Sequence, residues 1–221
     1  MEQTILTKAQ LLALDEIRKS EFIAGTFYLT GGTALSEFYL RHRFSDDLDF
    51  FTDLGDFPQI EVEALIGKMR LVLGASDINY RRLHDRRIFF LNCDGSCELK
   101  IEFTYYPFSP IKERARINGI LVDSFEDIVA GKWMALMDRI EAKDFVDFYF
   151  IIKEKNISLG EIRKLVNKKF NLSLEASTIG SELAKVRNLD RLPNMIKPLT
   201  LEALKIFFAD QAKGLTKDIF R

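Results

Sequence analysis

The chain has 221 residues, of which 47% are hydrophobic and 29% are charged, and its formal net charge is −1. This composition is that of a globular protein large enough to bury one core, or a core and a smaller helical partner. It contains no run of 18 apolar residues and does not begin with a basic, apolar leader, so we expect a cytoplasmic protein with no membrane partner.

Cysteine content and charge distribution add two further limits. Cys93 and Cys97, with only two histidines in the chain, cannot complete a usual zinc site, so free thiols are expected. Residues 161–221 carry 12 Lys or Arg against 7 Asp or Glu. A basic helical part would suit an enzyme that acts on RNA, although solvated helices give similar counts.

The first predicted elements are a helix and a strand that leads into a glycine pair. Thr7 and Gln10 have the spacing of a capping box, and the apolar positions that follow predict a helix to about Ser20. Residues 26–30 are β-branched and aromatic, which predicts a buried strand. Gly31 and Gly32 then break this strand before a helix from Thr33 to about Arg41. Glycines before a helix N-terminus let an anion such as phosphate approach the backbone.

A second strand, predicted over 47–51, carries two aspartates. Because strand side chains alternate, Asp47 and Asp49 share one face, roughly 7 Å apart at Cα, while Leu48 and Phe50 point into the core. Two adjacent carboxylates favour hard divalent cations, Mg²⁺ or Mn²⁺. A phosphate cradle beside such a pair indicates metal-assisted phosphoryl or nucleotidyl transfer. The alternative is an ordinary turn beside a solvated strand edge.

A helix over 60–73, ending at Gly74, precedes three strand candidates at 78–84, 87–93 and 97–106. The last two strands are expected to join around Asp94–Gly95, completing a mixed sheet. Four arginines crowd the turn between the first two strands, where they either contact a phosphate backbone or are simply solvated: Arg81, Arg82, Arg86 and Arg87.

Asn118–Gly119 predicts a tight hairpin, and Ser124 has the position of an N-cap for a helix to about Ile140. We therefore place a domain boundary here, with a sheet domain over 1–123 and a helical domain over 124–221. On the predicted helix, Lys132, Ala135 and Arg139 lie on or near one face. Three further helices are predicted over 158–170, 174–186 and 199–213, with a proline-broken loop at 188–198.

The motifs in this order resemble the AbiEii/AbiGii toxin family of the polymerase-beta-like nucleotidyltransferase superfamily. The resemblance rests on Gly31-Gly-Thr-Ala-Leu35, on Arg43-x-Ser-x-Asp-Leu-Asp-Phe50, on Lys132-x-x-Ala with Arg139, and on Lys143-Asp-x-x-Asp147. It implies an α+β fold, in which a nucleotidyltransferase-type mixed sheet with flanking helices is followed by a C-terminal helical bundle.

The resemblance also implies roles for individual residues. Glu102 matches the third carboxylate that superfamily members place beside the aspartate pair; the alternative is that Glu98, Lys100 and Glu102 form an exposed, salt-bridged face. The metal ligands are then Asp47, Asp49 and Glu102, and the catalytic residues are these three with Lys132 and Asp147. The residues expected to bind substrate are Gly31, Gly32, Thr33, Arg43, Ser45, Lys132, Arg139 and Asp144.

The leading functional hypothesis is a Mg²⁺- or Mn²⁺-dependent transfer of a nucleoside monophosphate from an NTP to an acceptor hydroxyl. By the resemblance, the acceptor is an RNA such as the tRNA 3′ end, and the chain is the toxin-like component of a pair with a separately encoded antitoxin. Two alternatives stay open: a non-catalytic scaffold that binds a nucleotide or an antitoxin, and a phosphotransferase that moves the γ-phosphate as a kinase does.

Overall fold

In a computed structural model, which describes residues 4–93 and 97–219, the chain divides into two compact units. The first consists of Met1–Tyr39 and Ser45–Ser124, and the second of Leu40–Phe44 and Phe125–Arg221. The short segment Leu40–Phe44 therefore belongs to the second unit, although both stretches of chain that flank it belong to the first. The sequence analysis predicts a single boundary between residues 123 and 124 and contains no signal for this assignment of Leu40–Phe44.

The first unit is built on one mixed sheet. Its helices are α1 Lys8–Lys19, α2 Glu21–Thr26, α3 Gly31–Leu35 and α4 Gln59–Leu73. Its strands are β1 Tyr28–Thr30, β2 Asp47–Thr52, β3 Ala75–Leu83, β4 Arg86–Cys93, β5 Cys97–Tyr105, β6 Ala115–Ile117 and β7 Ile120–Val122. Across the described residues the strands follow the order β3-β4-β5-β2-β1-β7-β6. The β2–β5 and β1–β7 pairs are parallel and the others antiparallel.

Several local sequence signals produce the structure that was predicted from them. Thr7 and Gln10 form the full capping box of α1. Gly74 ends α4 in the left-handed conformation, with φ at 62°. Asn118 and Gly119 both have positive φ in the β6–β7 hairpin, as a tight hairpin turn requires. The expected turn at Asp94–Gly95 lies outside the described residues.

Two predicted boundaries near the glycine pair are wrong. The strand expected from Thr26 begins at Tyr28, because Thr26 is the last residue of α2, a short helix that Ser20 caps with its side chain. The helix expected from Thr33 begins at Gly31, and its final turn, Ser36–Leu40, is a π-helix. The glycines thus lie in the first turn of the helix and not before it.

Aromatic and branched side chains fill the core of the first unit. Leu48, Phe50, Ile101 and Phe103 are completely buried, and the rings of Phe50 and Phe103 stack with centroids 5.5 Å apart. These residues are the inward members of alternating strands. The polar members of the same strands therefore lie together on the other face of the sheet.

The second unit is helical. Its helices are α5 Phe125–Asp138, α6 Ala142–Lys155, α7 Leu159–Phe170, α8 Ala176–Ala184 and α9 Leu201–Ile219. The predicted helix over 174–186 is shorter than expected, since α8 gives way to a 3₁₀ turn at Lys185–Asn188. In the core of the second unit, Trp133 and Phe148 pack edge to face, with ring centroids 5.6 Å apart.

The predicted fold class is confirmed: a mixed sheet with flanking helices, followed by a set of helices. Among the residues described, we find no helix with both the length and the apolar character needed to cross a membrane.

Candidate active site

The two aspartates of β2 lie on the polar face of the sheet. Along β2, Leu48 and Phe50 are fully buried, whereas Asp47 and Asp49 are partly exposed. The strand alternation that the sequence predicted is therefore present, and both carboxylates are accessible on one side of the sheet.

Asp49 lies directly against the glycine pair. A Cβ placed on Gly31 would be 2.3 Å from Asp49 Oδ2, and Gly31 also has a φ of 71°, a conformation that other residues rarely adopt. The Thr33 hydroxyl donates a hydrogen bond to the backbone carbonyl of Asp47, at the first residue of β2. The helix α3 and the strand β2 are thus in contact at Asp47, through its backbone, and at Asp49, through its side chain.

Lys100 on β5 supplies a cation to this face. Its Nζ lies 2.8 Å from Asp47 Oδ2, and the two residues are register partners on adjacent parallel strands. Burial by itself lowers the pKa of Lys100, but the hydrogen bond to Asp47 and the charges of Asp49 and Glu102 outweigh this, so the pKa of Lys100 is raised. The ammonium group is therefore firmly charged among three carboxylates.

Glu102 lies on the same face, as the register partner of Asp49. Its side chain is only 3% exposed, and Arg86 binds it in bidentate fashion, with Nε–Oε1 at 2.6 Å and Nη2–Oε2 at 2.7 Å. The Thr104 hydroxyl donates a further hydrogen bond of 2.8 Å to Oε1. Glu102 thus lies on the same face of the sheet as Asp47 and Asp49, and Arg86 balances its charge.

A separate set of charges lies in the second unit, centred on Asp147. This carboxylate is fully buried and contacts Arg43 Nε at 2.6 Å, Lys132 Nζ at 2.6 Å and His42 Nε2 at 2.7 Å. Burial alone would raise the pKa of Asp147, but the charges of Arg43 and Lys132 and the hydrogen bonds from His42 and Arg43 hold that pKa well below its usual value. Burial lowers the pKa of His42 despite the neighbouring carboxylate, so its imidazole stays neutral.

The charged cluster continues from Lys132 to the end of α5. Lys132 Nζ also lies 3.4 Å from Asp144 Oδ1, and Asp144 accepts a 2.9 Å hydrogen bond from Arg139 Nε. Lys132 is 7% exposed and Asp144 is fully buried, whereas the Arg139 side chain is 38% exposed. Of these residues, Arg139 is the most accessible to solvent.

The segment Leu40–Phe44 is held within the second unit by backbone as well as side-chain contacts. Phe44 N donates to Asn194 O at 2.9 Å, and Ile196 N and Lys197 N donate to His42 O at 3.0 Å. Arg43 is only 3% exposed; its Nε and Nη2 donate to the two carboxylate oxygens of Asp147, and its Nη1 donates to the carbonyl of Phe44. The substrate contact expected of Arg43 therefore competes with a complete bidentate ion pair.

The structure thus brings the predicted site residues together in two groups. Those in the first unit are Gly31, Gly32, Thr33, Ser45, Asp47, Asp49 and Glu102, and those in the second are Arg43, Lys132, Arg139, Asp144 and Asp147. Ser45 is partly exposed, and its carbonyl accepts a 2.8 Å hydrogen bond from Gln10 Nε2. The sequence analysis did not identify Arg86 or His42 as partners of site residues, and it grouped Lys100 with Glu102 and not with Asp47. These pairings depend on strand register and on contacts between distant parts of the chain.

The carboxylates of the first unit have the chemistry of ligands for a hard divalent cation. Within residues 4–93 and 97–219, no three acidic, histidine or cysteine side chains converge closely enough to hold a metal ion as they stand. Asp47 and Glu102 are instead paired with Lys100 and Arg86. The carboxylate oxygens fit Mg²⁺ or Mn²⁺, and a bound ion would replace the positive charge that Lys100 and Arg86 now supply.

Comparison with known proteins places this chain in a family. Residues 13–215 match the family described as nucleotidyl transferase AbiEii toxin, Type IV TA system. An uncharacterized protein of Aquifex aeolicus is 35% identical over 168 residues, which cover 75% of this chain and 76% of that protein.

Two solved structures share the fold. The crystal structure of JHP933 from Helicobacter pylori has a TM-score of 0.60 and 20% identity, covering 96% of this chain and 90% of that one. MenT4, a nucleotidyltransferase toxin from Mycobacterium tuberculosis, has a TM-score of 0.51 and 14% identity, covering 94% and 84%. From the family match over nearly its whole length, we conclude that this chain is a nucleotidyltransferase belonging to the AbiEii toxin family.

Proposed function

We propose that the protein transfers a nucleoside monophosphate from an NTP to a hydroxyl of an RNA acceptor, with Mg²⁺ or Mn²⁺ as cofactor. The observation that carries this proposal is the arrangement of Asp47, Asp49 and Glu102 on one sheet face, with Asp49 against Gly31 and a cation, Lys100, held among the carboxylates. A face that already accommodates one positive charge between acidic groups has the electrostatics that a metal-bound triphosphate needs.

In this proposal Asp47 and Asp49 hold the metal, and Glu102 joins them when Arg86 releases it. Divalent ions bound there would offset the charge of the triphosphate and acidify the acceptor hydroxyl. Backbone N–H groups of Gly31, Gly32 and Thr33, in the first turn of α3, would bind phosphate oxygens, because Gly31 lets a ligand approach the backbone closely.

The geometry of the second unit suggests a division of roles there. Lys132 and Arg43 are buried and paired with Asp147, so we assign them, with Asp147, to positioning the segment Leu40–Phe44 that leads into β2. Arg139 is the residue of the cluster that we assign to contact with substrate, because its side chain is 38% exposed. Asp144 would orient Arg139 through their 2.9 Å hydrogen bond.

An antitoxin partner is supported by the family description, which names a TA system. The RNA acceptor, with the tRNA 3′ end in particular, is proposed from the resemblance of the motifs. A nucleotidyltransferase toxin of a toxin–antitoxin system requires an acceptor in the cell and a means of restraint, and its substrate is an NTP.

The chemistry is tested by incubating the full chain with Mg²⁺, total tRNA and NTPs labelled at the α-phosphate or, separately, at the γ-phosphate. We expect α-label to join RNA, and we expect the Asp47→Ala/Asp49→Ala double variant to lose at least about a thousandfold in rate. Because both aspartates are partly exposed, the double variant should fold, and thermal unfolding checks this.

Other outcomes identify the alternatives. Transfer of γ-label would establish a phosphotransferase, and nucleotide binding with no transfer to any acceptor would favour a scaffold. Label transfer that persists in the double variant would rule out this sheet face as the active site.

A further inference from the structure

The carboxylate face of the sheet continues outward across β4 to the edge strand β3. Strand register places Phe90 beside Lys100 and Ile88 beside Glu102, and on the next strand Asn79 beside Phe90 and Arg81 beside Ile88. Register partners on adjacent strands point to the same side of a sheet. The side chains of Asn79, Arg81 and Phe90, which we call the outer platform, therefore share a face with the catalytic carboxylates.

The outer platform combines an aromatic ring with a cation. The Arg81 guanidinium lies over the ring of Phe90, 5.2 Å from its centroid. Arg81 and Asn79 are exposed and Phe90 is partly exposed, so these groups are accessible to a ligand. A solvent-accessible aromatic ring beside an arginine is the combination that stacks bases and binds phosphates in single-stranded nucleic acids.

The opposite face of the same hairpin differs. There Tyr80 stacks on Phe89 with centroids 4.9 Å apart, and Arg87 lies over the ring of Phe57 and donates a 3.3 Å hydrogen bond to Gln59 of α4. That face is covered in part by α4 and its preceding loop. The carboxylate side leads from the site to the exposed side chains of Asn79 and Arg81.

The spacing fits the end of a nucleic acid chain. Neighbouring strands are about 4.8 Å apart, so Arg81 on β3 lies about 14 Å, three strand spacings, from Asp49 on β2. That distance corresponds to a few nucleotides. Residues 75–93 also carry four arginines against two aspartates, in a chain whose overall net charge is −1.

On these grounds, and resting on the proposed function, we propose that the outer platform binds the unpaired 3′-terminal nucleotides of the RNA acceptor. Phe90 stacks with a base, Arg81 binds the phosphate backbone, and the terminal hydroxyl extends along the sheet face toward Asp47 and Asp49. An unpaired end is specified because only unstacked bases offer their rings to such a surface.

The test is binding of a fluorescent single-stranded RNA oligonucleotide to the full chain, measured by anisotropy without NTP or divalent ions. Arg81→Ala is compared with Arg82→Ala, which removes the same charge from the neighbouring residue on the opposite face of β3. Phe90→Leu removes the ring and keeps an apolar side chain in its place. Thermal unfolding confirms that each variant is folded.

We expect Arg81→Ala and Phe90→Leu each to weaken binding about tenfold, and Arg82→Ala to change it less than threefold. The slope of log affinity against log salt should fall by about 0.7 in Arg81→Ala only, because only that change removes a phosphate contact. Equal weakening by the two arginine changes would indicate diffuse electrostatic attraction and overturn the proposal. Wild-type affinity in Arg81→Ala and Phe90→Leu would also overturn it.

This result is separable from the test of the reaction. If label transfer depends on Asp47 and Asp49 while RNA affinity is unchanged in the outer-platform variants, only the platform proposal fails. If RNA affinity depends on the platform and no nucleotide is transferred, the proposed function fails alone. If the edge strand β3 instead serves to pair with the backbone of a peptide, Arg81→Ala and Phe90→Leu should both keep the RNA affinity of the wild type.

Discussion

The molecule contains two groups of acidic residues that differ in how their charge is balanced. On the sheet of the first unit, Asp47 and Asp49 are partly exposed, and Asp47 pairs with Lys100, whose side chain is 24% exposed. In the second unit, Asp147 has no exposure and is enclosed by Arg43, Lys132 and His42. Both groups fall on family motifs, and the sequence analysis gave residues of both a role in the active site.

The two groups differ in how readily an ion or a substrate can replace the cationic side chain that pairs with each carboxylate. Lys100 reaches solvent and pairs with the partly exposed Asp47, so it can give way to an ion or a substrate at modest cost, because exposed ion pairs contribute little stability. A buried pair cannot be opened without leaving an uncompensated charge. Asp47 and Asp49 are therefore suited to binding, and the Asp147 cluster is suited to holding the chain in place.

The largest expected effect that tests this contrast is on Asp147. Asp147→Asn would leave Arg43 and Lys132 buried without their carboxylate, which we expect to lower the free energy of unfolding by about 3–5 kcal/mol. Chemical denaturation measures the loss. Glu154→Gln on the same helix is a matched control, because Glu154 pairs with the part-exposed Lys197 and should cost under about 1 kcal/mol. An Asp147→Asn protein with wild-type stability would contradict the positioning role.

A smaller effect is expected at Lys100. Lys100→Met removes the ammonium beside Asp47 and keeps most of the side chain, so a divalent cation no longer competes with a fixed positive charge. We expect Mn²⁺ affinity, measured by electron paramagnetic resonance or calorimetry, to rise about tenfold. Lys213→Met, an exposed lysine of α9, changes the net charge equally and should leave the affinity unchanged. Mn²⁺ binding that stays the same or weakens in Lys100→Met would show that this lysine does not occupy the cation position.

The smallest expected effect is the pH response of His42. Its folded-state pKa lies below the value of about 6.5 that we take for the unfolded chain, so below that pH the unfolded state binds a proton that the folded state does not. Stability should therefore fall as pH drops below about 6.5, by at most about 1.4 kcal/mol per pH unit. The difference between wild type and His42→Gln, followed from pH 8 to 5, isolates this contribution. A pH-independent difference would contradict it.

Sequence reasoning was effective where the determinants are local. The period of two placed Asp47 and Asp49 opposite Leu48 and Phe50, and the signals at Thr7, Gly74 and Asn118 fixed the ends of elements. These features depend on side-chain direction and backbone preference within a few residues, which the order of amino acids determines directly.

It was ineffective where the determinants are distant. Arg43 and Asp147 are 104 positions apart, and Arg86 and Glu102 meet only because β4 and β5 pair in a particular register. The resemblance to the family assigned Arg43 to substrate binding, as the first residue of the Arg43-x-Ser-x-Asp-Leu-Asp-Phe50 motif. No local pattern indicates that a carboxylate on α6 already binds that guanidinium.

The placement of Leu40–Phe44 has a consequence for any attempt to divide this protein. A fragment that stopped at Ser124 would retain Arg43 and His42 but lose Asp147 and the backbone of residues 194–197, to which they bind. The complementary fragment would carry Asp147 with no guanidinium from Arg43. In each fragment, one partner of the Arg43–Asp147 ion pair would be left without the other. A protein split at this point should therefore regain function only when both fragments are supplied together.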